Sequence, residues 1–235
     1  MNKIRVADLN ILIKYNSDIM IKQCERYKSD FEHHNIKIDL DESKYPQVIE
    51  ESFSVTPETV EYVSTGTVFN ELVLHFNALM LHSSAVVKDG YAYLFSADSG
   101  VGKSTHTGLW QEYFGEDNAI ILNDDKPIIR YVDGQLYAYG SPWSGKSDKN
   151  ANLKVPLGAI VFVERAKENW IKQITPSTAI PLFLTQTLRP EDDRTKGLLL
   201  NTLDKILSQT KVYKLGCNIS KEAVETSYNA IKVTN

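Results

Sequence analysis

Lys103 and Ser104 stand directly behind a turn that carries two glycines, in the run Ser99-Gly100-Val101-Gly102-Lys103-Ser104-Thr105. These residue types in this order suit a phosphate chain. Gly100 and Gly102 let the backbone turn its N–H groups toward an anion with no Cβ in the way. Lys103 supplies a mobile ammonium for the β- and γ-phosphates, and the Ser104 hydroxyl can join the shell of a magnesium ion. The usual pattern has a glycine where this chain has Ala97. The expected occupant is a nucleoside triphosphate, ATP, with Mg2+. A second run, Asn123-Asp124-Asp125-Lys126-Pro127, offers two carboxylates. Beside a phosphate loop such acids hold magnesium or take the proton of an attacking hydroxyl. Taken alone, the same run is an Asx-rich turn of the kind that follows many strands. Lys146 and Arg189 are candidates for contact with an acceptor.

These groups need elements to hold them. The aromatic and apolar stretch at residues 91–95 predicts a buried strand. Residues 103–114 predict a helix, with Leu109, Trp110 and Phe114 at helical spacing and Gly115 to stop it. Strand, glycine turn and helix together aim loop amides at a phosphate. Residues 81–87 are expected to turn back on Tyr91 through Lys88-Asp89-Gly90 as a hairpin, so that His82 opens the strand beside the loop strand. Spacing alone leaves open which end of the sheet His82 occupies. Residues 119–122 predict the short strand that delivers the acids.

Upstream, residues 1–15 alternate as one or two strands. Met20, Cys24, Tyr27 and Phe31 share one face of a helix that Ser17 can cap. Residues 36–40 predict another strand, residues 46–56 a loop, and Thr56-Pro57 a helix start that Gly66 interrupts. Residues 69–80 read as a strongly amphipathic helix. Downstream, a hairpin is expected around Asp133-Gly134, then a long exposed loop over residues 140–152 that contains Lys146. Residues 157–164 predict a central strand, with residues 170–174 beside it. Helices follow over residues 175–189 and 198–207, then a strand at 212–215 and a terminal helix that Ser220 opens.

The composition bounds the partners. With 42% apolar and 24% charged residues, the 235-residue chain can bury an ordinary core. A net charge of −4, with no long run of either sign, argues against nucleic acid or an anionic membrane surface as a partner. Cys24 and Cys217 are the two cysteines, too few for a disulfide framework or a Cys-x-x-Cys metal site, and are expected as buried free thiols. His33 and His34 are adjacent and point apart on a helix end, which argues against a metal site. The sequence has no 18-residue apolar run and no secretory leader, so the expectation is a soluble, cytoplasmic protein.

His82-Ser-Ser-Ala-Val, a hairpin, Ser99-Gly-Val-Gly-Lys-Ser104 and then Asp124-Asp125 resemble the catalytic core of bacterial HPr kinase/phosphorylase. That core shares its fold with the nucleotide-binding domain of ATP-dependent phosphoenolpyruvate carboxykinase. The runs Ala97-Asp-Ser-Gly-Val-Gly-Lys-Ser-Thr-His-Thr-Gly-Leu-Trp110, Asn123 to Pro127 and Gly140-Ser-Pro-Trp-Ser-Gly-Lys146 look more like the HPr-kinase-like proteins of Gram-positive bacteria, some of which sit in peptide-modification clusters. The resemblance covers residues 79–184 by motif. It implies that Lys103 and the loop amides of Ser99 to Thr105 hold the phosphates and that Ser104 binds magnesium. In the kinases the acid matching Asp125 is the base toward the substrate hydroxyl, whereas in the carboxykinases the matching acid is a metal ligand, so the roles of Asp124 and Asp125 stay open. The histidine matching His82 contacts the reacting phosphate. Hexamers occur among the HPr kinases, so the resemblance also allows a homo-oligomer. Two departures argue against HPr as the substrate: Thr105 replaces an acidic residue, and the Gly-Leu-Gly-Ile run is absent. The chain also lacks a carboxylate-binding half, which argues against phosphoenolpyruvate formation.

The expected fold is therefore α/β, a phosphate-loop nucleotide-binding core of the HPr kinase and carboxykinase type, with a mixed sheet flanked by helices. The core is expected at residues 67–235, with an α/β segment at residues 1–66 packed on it. The expected function is transfer of a phosphoryl group from ATP to a hydroxyl acceptor, a serine of a peptide or protein or a small metabolite. The alternatives are a non-catalytic nucleotide-binding regulator and a stand-alone ATPase.

Overall fold

The computed structural model describes residues 1–40 and 56–234. The loop expected at residues 46–56 lies almost wholly outside the described residues. β1 (Asn2–Val6) and β2 (Leu9–Ile13) are joined by Ala7 and Asp8, both in the left-handed region at φ 52° and 59°. A two-residue turn of that hand matches the twist of the strands it connects. α1 (Asp18–Cys24) opens on Ser17, whose hydroxyl accepts from the Met20 N–H, and β3 (Ile36–Ile38) pairs parallel with β2. The helix is shorter than the spacing predicts. It tightens into a 3-10 turn at Glu25–Tyr27, so Phe31 falls beyond it.

α2 (Pro57–Val73) is capped by Thr56 and runs straight through Gly66, where an interruption was expected. The glycine serves packing: a Cβ there would lie 2.8 Å from Cδ1 of Trp143, whose ring stacks on Phe69 at 4.7 Å between centroids. Residue 66, the expected division between the N-terminal segment and the core, therefore lies inside a continuous helix. The helix expected over residues 69–80 ends early. After Val73 comes a 3-10 turn, then Asn77 at φ 54°, and Leu79 and Met80 belong to a strand, β4 (Ala78–Met80).

β5 (Ser83–Lys88) and β6 (Tyr91–Ser96) form the expected hairpin through Asp89 and Gly90. α3 (Lys103–Phe114) and β7 (Ile120–Asn123) follow, then β8 (Ile128–Val132) and β9 (Gln135–Tyr139), turned by Asp133 and Gly134. The segment from Gly140 to Ser144 is not the exposed loop that its turn-forming residues suggest. Ser141, Trp143 and Ser144 are buried, because Trp143 fills the gap beside α2.

β10 (Lys154–Arg165) is the spine of the large sheet. Its first residues pair antiparallel with β9, and from Leu157 onward it pairs parallel with β6. β11 (Trp170–Gln173) pairs not with β10, as expected, but with β12 (Lys211–Cys217), since β6 and β12 already occupy both edges of β10. The described sheet runs β4-β8-β9-β10-β6-β5-β7, with β12 and β11 branching from β10. α4 (Pro176–Gln186) and α5 (Asp193–Gln209) cover one face, and α3 and α6 (Lys221–Ile231) the other. The result is a mixed sheet flanked by helices.

The N-terminal strands are not a separate body. Ile4, Ile11 and Ile13 share one apolar core with Phe69 and Val73 of α2, with Met80 and Ile128 of the large sheet, and with Trp143 of the segment after β9. Cys24 is buried as expected, while Cys217 is only partly buried. No described helix is long and apolar enough to cross a membrane.

Candidate active site

β6 and β10 run parallel, and the glycine turn leaves the end of β6 for the start of α3. Gly100 and Gly102 sit at φ 78° and 129°, a backbone that side chains other than glycine resist, and no atom lies within 4 Å of where a Cβ would stand at either. α3 begins with no side-chain cap and no acid in its first turn. Its first N–H groups are therefore left for an outside acceptor, which a helix N-terminus favours as an anion. Ser99, Gly100, Ser104 and Thr105 are exposed, and Val101 is half-buried.

Lys103 folds back across the turn. Its Nζ donates to the carbonyls of Ala97 at 2.8 Å and Asp98 at 3.3 Å, and the residue is 7% exposed. Burial pulls its pKa below the usual lysine value, an effect that the Asp125 carboxylate opposes. From the other side Arg165, the last residue of β10, donates to the carbonyls of Gly100 at 2.5 Å and Val101 at 3.2 Å. Lysine and arginine thus both hold carbonyls of the turn.

The acid pair meets the turn from β7, the strand beyond β5. Asn123 is fully buried, and its side-chain carbonyl accepts from the N–H groups of Asp125 at 2.9 Å and Lys126 at 2.7 Å. Its amide is fixed in turn on Ser141. Asp124 accepts from the Ser84 hydroxyl at 2.6 Å, and Ser84 lies 2.7 Å from Thr107 on α3. Asp125 faces elsewhere. Its Oδ1 is 3.4 Å from His82 Nε2 and 3.3 Å from Lys126 Nζ. Gly145 passes so close that a Cβ on it would lie 2.9 Å from the Asp125 Cβ.

The position of His82, left open by spacing, is settled by register. Ser83 pairs with Ser96, the last residue of β6, so His82 lies at the end of the sheet that carries the glycine turn. Its Nδ1 is 3.0 Å from Gln186 Oε1, while Gln186 Nε2 donates to Asp98 at 2.6 Å. With the Gln186 amide so oriented, His82 carries its proton on Nδ1 and turns the lone pair of Nε2 toward Asp125. Burial lowers the pKa of His82, and Lys126 and Lys103 lower it further, against the opposing pull of the Asp125 carboxylate and the Gln186 hydrogen bond.

Lys103, Asp124, Asp125 and His82 therefore gather at one end of the sheet. Lys146 and Arg189 are exposed and make no side-chain hydrogen bond or ion pair among the described residues. Gln186, Ser84 and Arg165 went unnoticed in the sequence. Gln186 lies 104 residues from His82, and no local pattern marks it. Lys126 stands inside the acid run, and its proximity to the acids was the available signal.

Three cavities open beside these groups, the largest of them, about 650 Å3, between Ser96 to Val101 and the residues Glu164, Arg165 and Gln186. A second, of about 550 Å3, lies along the start of α3, between Thr105, His106 and Leu109 on one side and Arg165, Asn218 and Ile219 on the other. A third, of about 420 Å3, lies against Asp125, His82 and Lys126.

No family model and no curated protein matches the chain. Among solved structures it is similar to the HPr(Ser) kinase/phosphatase from Coxiella burnetii, at 13% identity and a TM-score of 0.36, over 64% of this chain and 95% of that one.

Proposed function

We propose that this protein is a phosphotransferase that moves the γ-phosphoryl group of ATP to a hydroxyl acceptor in the presence of magnesium. The observation that carries the reading is the meeting of Asp125 and His82 with the glycine turn and its lysine at one end of the sheet, next to a cavity with room for an acceptor. The uncapped start of α3 and the open glycines suit the phosphates, with Lys103 leaving the loop carbonyls to meet them. Ribose and base have the 550 Å3 cavity, where Ile219 is 79% exposed and Leu109 supplies a second apolar surface.

Magnesium, when bound, neutralises charge on the β- and γ-phosphates. Ser104 and Asp124 are the residues to hold it. One or two protein oxygens with phosphates and water are the ordinary donor set for this ion. Asp124 is tied through Ser84 to Thr107 on α3, the helix that carries Ser104. Asp125 takes the proton from the acceptor hydroxyl as its oxygen bonds to the γ-phosphorus and the bond to the bridging oxygen of ADP breaks. His82 Nε2 stands beside that carboxylate and can receive the proton in turn.

The test is calorimetric binding of magnesium-ATP to wild type, Lys103→Ala and Asp125→Asn, followed by transfer of labelled phosphate to a pool of hydroxylated metabolites and serine peptides. Lys103→Ala is expected to weaken ATP by roughly tenfold to a hundredfold, the loss of charge-assisted hydrogen bonds. Asp125→Asn is expected to keep ATP and lose roughly 10²- to 10⁴-fold in transfer. Transfer by Asp125→Asn at the wild-type rate refutes the base assignment. ATP binding with no transfer to any component points instead to a nucleotide-binding regulator.

A further inference from the structure

The cavity beside Asp125 is built in a way that restricts its occupant. α2 forms one wall with Tyr62 and Asn70, Trp143, Met80 and Leu188 add apolar surface, and Thr185, Gln186 and Thr187 line the side toward His82 and Asp125. The polar atoms of the two aromatic residues are engaged within the protein. The Tyr62 hydroxyl accepts from the Gly145 N–H at 2.9 Å, and Trp143 Nε1 donates to the Tyr62 carbonyl at 3.2 Å. These walls therefore offer carbon surface. Asn70 is different. It is 5% exposed, lines the cavity, and its side-chain carbonyl has no hydrogen-bond partner among the described residues. A buried acceptor left unmatched is costly, and this oxygen is shielded from the cavity itself.

Charge and size narrow the class. Lys126 is the one lysine or arginine among the residues lining the cavity, and its ammonium already faces Asp125 at 3.3 Å. Among the described residues, no other lysine or arginine lines the cavity. Its volume of about 420 Å3 lies within the ~300–1,000 Å3 of pockets for small molecules. A serine side chain, with two non-hydrogen atoms beyond its backbone, by itself leaves most of that space unfilled.

We infer that the acceptor is an uncharged small molecule: an alcohol on an apolar, ring-sized body. The assignment of its hydroxyl to Asp125 rests on the phosphotransfer reading, whereas the fit of its body rests on the cavity alone. The N-terminal segment then has a role, because α2 supplies the wall that selects the acceptor.

The probes are 2-(4-hydroxyphenyl)ethanol, 2-phenylethanol, glycerol and a serine pentapeptide flanked by glycine and alanine. Binding is read by saturation-transfer NMR on the protein without nucleotide, and transfer by labelled ATP. Thr67 and Val63, both exposed on α2 at the rim of the cavity, are replaced in Thr67→Trp and Val63→Trp to fill the opening. The two variants back each other up should one fail to fold, which thermal melting reports. The expected result is that the phenolic alcohol binds at least tenfold more tightly than glycerol, and that the filled variants weaken it at least tenfold. Equal binding of glycerol, preference for the peptide, or an alcohol affinity untouched in a folded filled variant overturns the inference. Alcohol binding without transfer supports the cavity and refutes the phosphotransfer reading. Transfer to the peptide without alcohol binding does the reverse.

Discussion

His106 ties the helix behind the glycine turn to acid stability. It lies on α3, 2% exposed, with Nε2 accepting from Trp110 Nε1 at 3.2 Å and standing 3.1 Å from the Ser227 hydroxyl. Its Nδ1 has no partner among the described residues, and no carboxylate compensates a charge there. Burial pushes its pKa from 6.5 down to about 4. Between those values the unfolded chain binds a proton that the folded chain refuses, so stability is full above pH 6.5 and falls as the pH drops toward 4. At about 1.4 kcal/mol per pH unit, this one residue costs about 3 kcal/mol over that window, a large part of the ~5–15 kcal/mol typical of a domain. The assay is urea denaturation followed by tryptophan fluorescence at pH 7.5 and pH 4, for wild type and His106→Gln. Glutamine keeps an acceptor for Trp110 and cannot take the proton. Whatever the substitution costs at neutral pH cancels in the comparison, and wild type is expected to lose about 3 kcal/mol more than the variant on acidification. A difference between the two proteins that stays constant with pH refutes the argument that burial keeps His106 neutral.

Other expectations follow from single contacts. Gly66→Ala gains about 1 kcal/mol in helix propensity but drives a methyl group to 2.8 Å from Trp143, so net destabilisation is expected within the ~1–3 kcal/mol range of overpacking; an unchanged or raised urea midpoint refutes the close packing. Gln186→Glu places a carboxylate next to His82 Nδ1 and is expected to raise the His82 pKa, measured by NMR titration, and to move the acid limb of transfer to higher pH. An unmoved titration shows that Gln186 does not set the ring. Arg165→Ala removes two hydrogen bonds from the glycine turn and is expected to raise KM for ATP by roughly threefold to tenfold, about 1 kcal/mol. A kcat that falls as much as kcat/KM assigns Arg165 to the chemical step instead.

The sequence was most legible where one residue type serves one local need. Gly115 stops α3, Asp89-Gly90 and Asp133-Gly134 turn two hairpins, and Ser17, Thr56 and Ser220 open helices, because these jobs depend on φ or on a nearby hydroxyl. It was least legible where a distant partner decides. Gly66 looks like a helix breaker until Trp143 is seen to fill the space beside it. The segment from Gly140 to Ser144 has a loop's composition and a core's burial for the same reason. β11 is expected beside β10 but pairs with β12, because the parallel crossovers that give β10 its two neighbours are a property of the whole chain.

The site divides along the same line. Gln186 reaches His82 from the end of α4, and the only cue to it is the fold. The acid run shows the opposite case, in which two readings of one sequence merge. An Asx turn and a catalytic carboxylate pair looked like alternatives for Asn123 to Pro127. In the structure Asn123 makes the turn, accepting from the N–H groups of Asp125 and Lys126, and the neighbouring acids lead to different partners. Asp124 reaches Ser84 and the helix of Ser104, and Asp125 reaches His82 and the cavity. Two carboxylates pointed at one spot would repel and share a proton. Held apart by the turn that the buried Asn123 side chain makes, the two carboxylates reach different surroundings, as the proposed division between a metal ion and an acceptor requires. The turn is therefore the device that gives adjacent aspartates separate partners.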